Sequence, residues 1–347
     1  MKTQIITADD AAGMARAAQL LREGELVAFA TETVYGLGAA AMNAEAVKQI
    51  FAAKGRPADN PLISHIVEEE QLKDLVGSVP PMAKKLMDAF WPGPMTLIFP
   101  KGDRVPDATT AGLSTVAVRM PSHPAAQELL RLCRIPVAAP SANLSGKPSP
   151  TTARDVLADM DGRIPMIVDG GPCGVGVEST VVDCTGQRAK ILRPGGVTLE
   201  MLEDVLGKGN VDVHQAVLHP LESNAQAASP GMKYKHYAPK AQVRVIEGAH
   251  AAARICELYD EAVKQNRHVV IFSVEEERPA FGNRDFYAWG STARPGSVAQ
   301  HLFSALREAD RMGMDLVLCH SVETSGVGLA VMNRLLRAAG FDIEDAT

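Results

Sequence analysis

Lys54-Gly55-Arg56-Pro57-Ala58-Asp59-Asn60-Pro61-Leu62 closes one element and opens a stiff loop. The preceding segment, Ala44 to Ala53, carries Val47, Ile50 and Phe51 at helical spacing. A glycine and two prolines then stop the helix and fix an irregular path. Two cations and an amide are therefore carried on a rigid loop beside a packed element. Such loops suit anions, because little conformational entropy remains to be lost on binding. Ser141-Ala142-Asn143-Leu144-Ser145-Gly146-Lys147-Pro148-Ser149 has the same character and follows the apolar run Ile135 to Pro140, which reads as a buried strand. Together the two loops suggest a site for a polyanionic nucleotide.

Working outward, strand-like and helix-like segments alternate through the first two hundred residues. Strands are expected at Leu26–Ala30, Ser64–Val67, Met95–Phe99, Thr115–Arg119, Val137–Pro140, Met166–Asp169, Ser179–Asp183 and Ala189–Arg193. Helices are expected at Asp9–Arg22, Gln71–Val76, Met82–Phe90, Pro124–Cys133, Thr152–Met160 and Leu199–Leu206. This pattern is α/β, on a large mixed sheet. From Gly207 to about Lys240 the periodicity dissolves and a linker is expected. Within it, Ser229 to Pro239 sets two tyrosines and a methionine among three cations, which fits either a solvated tether or a lid. A second α/β unit follows, with strands at Val243–Ile246, Val269–Phe272 and Leu316–Cys319 and helices at Ala249–Lys264, Ser297–Met312 and Ala330–Ala339. The division is thus 1–206, a linker at 207–240, and a smaller Rossmann-like domain at 241–347.

Composition narrows the function. The chain has 347 residues and a net charge of -6. Through Leu206 there are 20 Lys and Arg against 24 Asp and Glu, and afterwards 15 against 17, so neither part is basic. A broad nucleic-acid footprint is disfavoured, and any anion site must be a local concentration of charge. A double-stranded RNA binding module, which needs a wide cationic surface, fits these charges poorly. The five cysteines form no C-x-x-C pair and read as reduced, buried thiols. With no apolar leader and no run of membrane-spanning length, a cytoplasmic protein without membrane association is expected.

Several single residues admit two readings. His65 lies in a strand pattern, where a histidine is either structural or part of a site; no zinc spacing accompanies it. Arg119 and Arg193 each end an apolar strand, either paired internally or aimed at an anion. Gly170 to Thr180 is glycine-rich but is neither a P-loop nor a dinucleotide fingerprint. No nucleophile–base arrangement can be recognised from spacing, which leaves positioning and charge stabilisation as the source of any chemistry.

Taken together, these segments resemble one family. Lys54-x-Arg56 with Ser141-x-Asn143 resembles the paired K-x-R and S-x-N signature of the YrdC family. Thr31-Glu32-Thr33-Val34-Tyr35-Gly36-Leu37 and Ser179-Thr180-Val181 are similar to its flanking motifs, and the linker with a trailing α/β domain is similar to its long form, the threonylcarbamoyl-AMP synthases. The hydrogenase-maturation proteins that share the module transfer carbamoyl groups, but they carry cysteine pairs that this chain lacks.

The resemblance implies a twisted mixed sheet with helices and an open cavity, followed by the Rossmann-like domain. It implies synthesis of L-threonylcarbamoyladenylate from L-threonine, bicarbonate and ATP, with Mg²⁺ entering on the ATP phosphates and pyrophosphate leaving. The product would pass to the machinery that transfers threonylcarbamoyl to tRNA; direct contact with tRNA is left open. By matching motif, Thr33, His65, Arg119, Ala139 and Ser179 would surround threonine. Arg56, Asn60, Thr115, Ser141, Asn143, Ser149, Arg193 and Tyr234 would hold ATP. Lys54 and Arg56 would offset charge at the phosphates.

Overall fold

The computed structural model describes residues 2–219, 236–294 and 296–347. The chain forms two compact units, the first reaching Val217 except for Gly146–Pro148, which cluster with the second. Among the described residues the first unit holds eleven strands: β1 (Gln4–Thr7), β2 (Val27–Phe29), β3 (Gly36–Ala40), β4 (Ile63–His65), β5 (Met95–Pro100), β6 (Thr115–Arg119), β7 (Val137–Ala138), β8 (Met166–Asp169), β9 (Thr180–Asp183), β10 (Ala189–Arg193) and β11 (Val211–Val213). They form one sheet in the order β1-β8-β2-β3-β7-β4-β6-β5-β9-β10-β11. Parallel and antiparallel pairs are mixed: β4 runs parallel to β6 and antiparallel to β7, while β5 is antiparallel to β6 and parallel to β9.

Alternation along the strands sorts side chains onto two layers. Val27 and Phe29 of β2 pack with Met14, Leu21 and Leu129 of the helices Ala11–Arg22 and Pro124–Cys133. Ala28 between them faces the other way, toward Leu37, Ile50 and Val156, beneath the helices Ala44–Lys54 and Ala153–Met160. A period of two on a sheet covered on both faces explains why these strands are apolar throughout. A further cluster, with Leu86, Leu97, Phe99, Val182 and Leu202, covers the β5–β9 end.

The expected strands and helices of this unit are present, with ends shifted by a few residues, and three strands appear that sequence reasoning did not place. β3 reads Gly-Leu-Gly-Ala-Ala, which carries no strand propensity. Its small residues are demanded by space: a Cβ on Gly38 would come within 2.9 Å of both the Phe29 ring and Val137. β1 is a short edge strand. β11 falls inside the stretch expected to be linker, where Val211–Val213 pairs in parallel with Ala189–Ile191 and Gln215–Val217 adds a 3-10 turn. Three residues, only two of them apolar, are too few to show a period.

Among the described residues the second unit has five strands, β12 (Gln242–Glu247), β13 (Val269–Val274), β14 (Phe286–Gly290), β15 (Leu316–His320) and β16 (Ile343–Asp345), in the order β14-β13-β15-β12-β16. All four pairings are parallel. The connecting helices include Ala251–Lys264, Gly296–Arg311 and Gly328–Ala339, giving the expected Rossmann-like unit.

Candidate active site

The helix Ala44–Lys54 starts on an Asn43 cap that accepts from Glu45 and Ala46, and ends where Gly55 takes φ 64° and ψ 42°. Only a left-handed residue lets the chain turn so sharply, and glycine does so without Cβ strain. The turn leaves Lys54 buried at the helix end, against the second signature loop. Its ammonium donates to the carbonyl of Ser141, to the Asn143 carbonyl at 2.8 Å and to Asn143 Oδ1 at 3.4 Å. Ser145 N returns a bond to the Lys54 carbonyl at 2.9 Å, and Ser141 Oγ donates to Asn143 Oδ1 at 2.5 Å. The K-x-R and S-x-N motifs, 87 residues apart, are thus one knot of hydrogen bonds.

Arg56 lies on the loop beyond. Its guanidinium sits 5.1 Å from the Phe51 ring centroid, and its Nε and Nη2 make no hydrogen bond among the described residues. Burial pushes its pKa down to about 10, with Asp59 opposing the shift, so it remains a cation near neutrality. Asn60 is buried with Oδ1 likewise unbonded among the described residues. Unsatisfied buried donors next to a backbone turn mark places where a ligand can complete the bonding.

A second cluster is borne by strands. Register sets His65 beside Arg119 on one side and Val137 on the other. Arg119 is 4% exposed, and its Nη1 donates to Thr33 Oγ1 at 2.9 Å while Nε donates to the Gly93 carbonyl at 3.3 Å. Its Nη2 lies 2.7 Å from Glu32 Oε1, a contact of charges without hydrogen-bond alignment. Burial alone would raise the Glu32 pKa, but the Arg119 charge, with backbone amides, holds it below the usual range. His65 has Nδ1 3.1 Å from the Ile63 carbonyl and an edge-on contact with Phe29. Burial, reinforced by the Arg119 charge, pushes its pKa to about 3, so the ring is neutral.

Ser179 joins this cluster through Thr96, which lies opposite Arg119 on β5; the two hydroxyls are 2.8 Å apart. Arg193 Nε donates to the Ser179 carbonyl and Nη2 to its hydroxyl, both at 3.1 Å. The glycine-rich loop is lashed to the Thr31–Gly36 motif: Val175 N donates to the Glu32 carbonyl at 2.8 Å, and the Tyr35 hydroxyl, its pKa raised by burial and by Asp169, donates toward Gly171 O at 2.7 Å and Asp169 at 2.9 Å.

Of the residues expected at the site, strand pairing sets His65 beside Arg119, hydrogen bonds tie Thr33 to Arg119, Ala139 to Ile63 and Ser179 to Arg193, and the knot joins Lys54, Ser141 and Asn143. Ala139 spends its amide on the Ile63 carbonyl at 2.9 Å, so its own carbonyl is what it can offer a ligand. Ser149 is fully buried and donates to Glu178 Oε1 at 2.5 Å. Thr115 is part-exposed at the far end of β6, about 13 Å along the strand from Arg119. Tyr234 lies outside the described residues. Sequence reasoning missed Glu32 and Glu178 as site members; both stand inside quoted motifs, but nothing in their spacing separates them from other surface carboxylates. Among the described residues no group of three or more His, Cys, Asp or Glu side chains could hold a metal.

Two family models match the chain: one described as "Telomere recombination" over residues 19–195, and "Threonylcarbamoyl-AMP synthase, C-terminal domain" over 197–340. A threonylcarbamoyl-AMP synthase from Bacillus subtilis is 51% identical over 328 residues, 94% of this chain and 93% of its own length. The protein of the same name from Pyrococcus abyssi is 49% identical, covering 94% of each chain. The crystal structure of P. abyssi Sua5 complexed with L-threonine superposes with a TM-score of 0.92 at 46% identity, over 99% of this chain and 100% of that one.

Proposed function

The chain belongs to the threonylcarbamoyl-AMP synthase family in its long, two-domain form, and on that premise we propose that it makes L-threonylcarbamoyladenylate from L-threonine, bicarbonate and ATP, releasing pyrophosphate. The product would supply threonylcarbamoyladenosine modification of tRNA. One observation carries the reading: a buried arginine on β6, fixed by Thr33 and flanked by a neutral histidine on β4, stands in the same sheet whose strand β7 leads into the Ser141–Asn143 half of a cationic knot.

Each part has a task in that chemistry. Carbon dioxide, formed from bicarbonate with loss of water, adds to the neutral threonine amine, whose proton passes to solvent; an oxygen of the resulting carbamate then attacks the α-phosphorus while the bond to pyrophosphate breaks. The carbamate is already an anionic nucleophile, so no enzyme nucleophile is required. Arg119 would bind the threonine carboxylate, with Thr33, His65, Ser179 and the Ala139 carbonyl shaping the rest of that pocket. Neutral His65 adds no charge there. Lys54 would hold the Ser141–Asn143 loop in register and direct positive potential at the phosphates, and Arg56 would supply the donors it leaves unbonded. Asn60, Thr115, Ser149 and Arg193 complete the proposed ATP site. Mg²⁺ would arrive on the ATP phosphates, with oxygen donors such as Ser141 and Asn143 near it, since the described residues offer no carboxylate cage. It would neutralise phosphate charge.

The test is pyrophosphate release from ATP and Mg²⁺. Release that requires both threonine and bicarbonate is expected; release indifferent to either, or none with all substrates present, refutes the reading. Lys54→Ala and Arg56→Ala should each lose roughly 2–4 kcal/mol of transition-state stabilisation, read as kcat/KM for ATP.

A further inference from the structure

The Glu32–Arg119 contact is unlike an ion pair that serves only the fold. Arg119 spends Nε on Gly93 and Nη1 on Thr33, which fixes its plane. Nη2 faces Glu32 at 2.7 Å, a contact of opposite charges that is not aligned as a fork among the described residues. Both side chains are largely shielded, at 4% and 12% exposure. Structural arginine–carboxylate pairs normally align in a fork, because charges removed from water without such bonds are costly. Here a fixed positive donor and a fixed negative acceptor stand side by side in a shielded site. Glu32 is itself anchored, its carbonyl accepting from Val175. A small ligand that carries a carboxylate beside an ammonium, as an amino-acid zwitterion does, would complement both charges at once.

We propose that Glu32 is a substrate-binding residue, accepting the α-ammonium of the amino acid whose carboxylate lies on Arg119. This rests on the threonine-binding reading above. The pair then recognises a free amino acid by both of its charged groups and excludes hydroxy acids and N-acylated amino acids. It also gives the bound amine a defined direction, and N-carboxylation, which removes the ammonium charge, would weaken this hold as the carbamate forms.

Calorimetric titration of the full chain separates the possibilities, using L-threonine and 3-hydroxybutyrate, which keeps carboxylate and hydroxyl but lacks the amine. The wild type should bind threonine at least about tenfold tighter, the worth of one charged hydrogen bond. Glu32→Gln should erase that preference by weakening threonine alone. Equal affinity of the wild type for the two ligands overturns the inference, and needs no variant to fold. Parallel weakening of both ligands in Glu32→Gln also overturns it, since a mere brace for Arg119 would act that way. A wild type that binds neither ligand removes the threonine-binding reading itself, whereas one that binds both alike removes only the role of Glu32.

Discussion

Arg119 and Arg56 are both proposed to meet anions, and the protein holds them in opposite ways. Arg119 projects from a central strand, and hydroxyl, carbonyl and carboxylate partners surround it. Arg56 rides on a proline-bounded loop, braced by an aromatic ring, with two nitrogens unbonded among the described residues. The strand-borne site has its charges fixed in place before its ligand arrives, so recognition there is by a geometry already set. The loop-borne site is incomplete, so its polyphosphate ligand would supply the missing bonds. A substrate selected for identity suits the first arrangement, and one bound chiefly for its charge suits the second.

Arg119→Ala should break the contrast hardest. It strands the Glu32 carboxylate in a shielded site, and about 3–5 kcal/mol of stability should be lost along with threonine binding, read by denaturant unfolding and by calorimetry. Unaltered stability would show that the strand-borne site is not braced as described. Gly38→Ala tests the sheet beneath that site. A Cβ there meets Phe29 and Val137 at 2.9 Å, and overpacking should lower stability by about 1–3 kcal/mol.

His65 offers a finer test through pH. Its proton affinity in the folded chain is depressed to about 3 from the ordinary 6.5. Between those values the unfolded chain binds a proton that the folded ring refuses. Stability should therefore fall as pH drops through that window, by up to about 1.4 kcal/mol per pH unit, and this contribution should be flat above it. Unfolding midpoints of wild type and His65→Gln at pH 7 and pH 5 isolate the term; parallel changes in the two proteins would mean that His65 is not held neutral. The smallest effect is expected for Arg56→Ala on stability, within about 0.5 kcal/mol, although its activity falls. A large destabilisation would erase the distinction between the two arginines.

The same contrast explains what could be read from the chain alone. The loop-borne half was legible because Lys54, Arg56, Ser141 and Asn143 sit in short motifs dense with glycine and proline, whose conformational demands are local. The strand-borne half was legible only as ends of apolar runs: Arg119 could be placed on β6, but whether it faced an internal partner or a ligand depended on Glu32, Thr33 and Gly93, which arrive from two other segments. Glu32 in particular gives no local signal, since its meaning comes from pairing across 87 residues to Arg119. β3 escaped for a related reason. Its glycines are required by neighbours on β2 and β7, and steric demands from distant strands leave no periodicity behind.

The last strand of the large sheet has a practical consequence. β11 covers β10, and Asp212 on it pairs with Arg188 at 2.9 Å, placing charge along the outer rim. Ending the polypeptide at Leu206 would strip this cover and bare the open ladder of Ala189–Arg193 to other copies, an invitation to strand-by-strand self-association. Excision of the first unit should retain the chain through Val217, so that the guard against aggregation travels with the fold it protects.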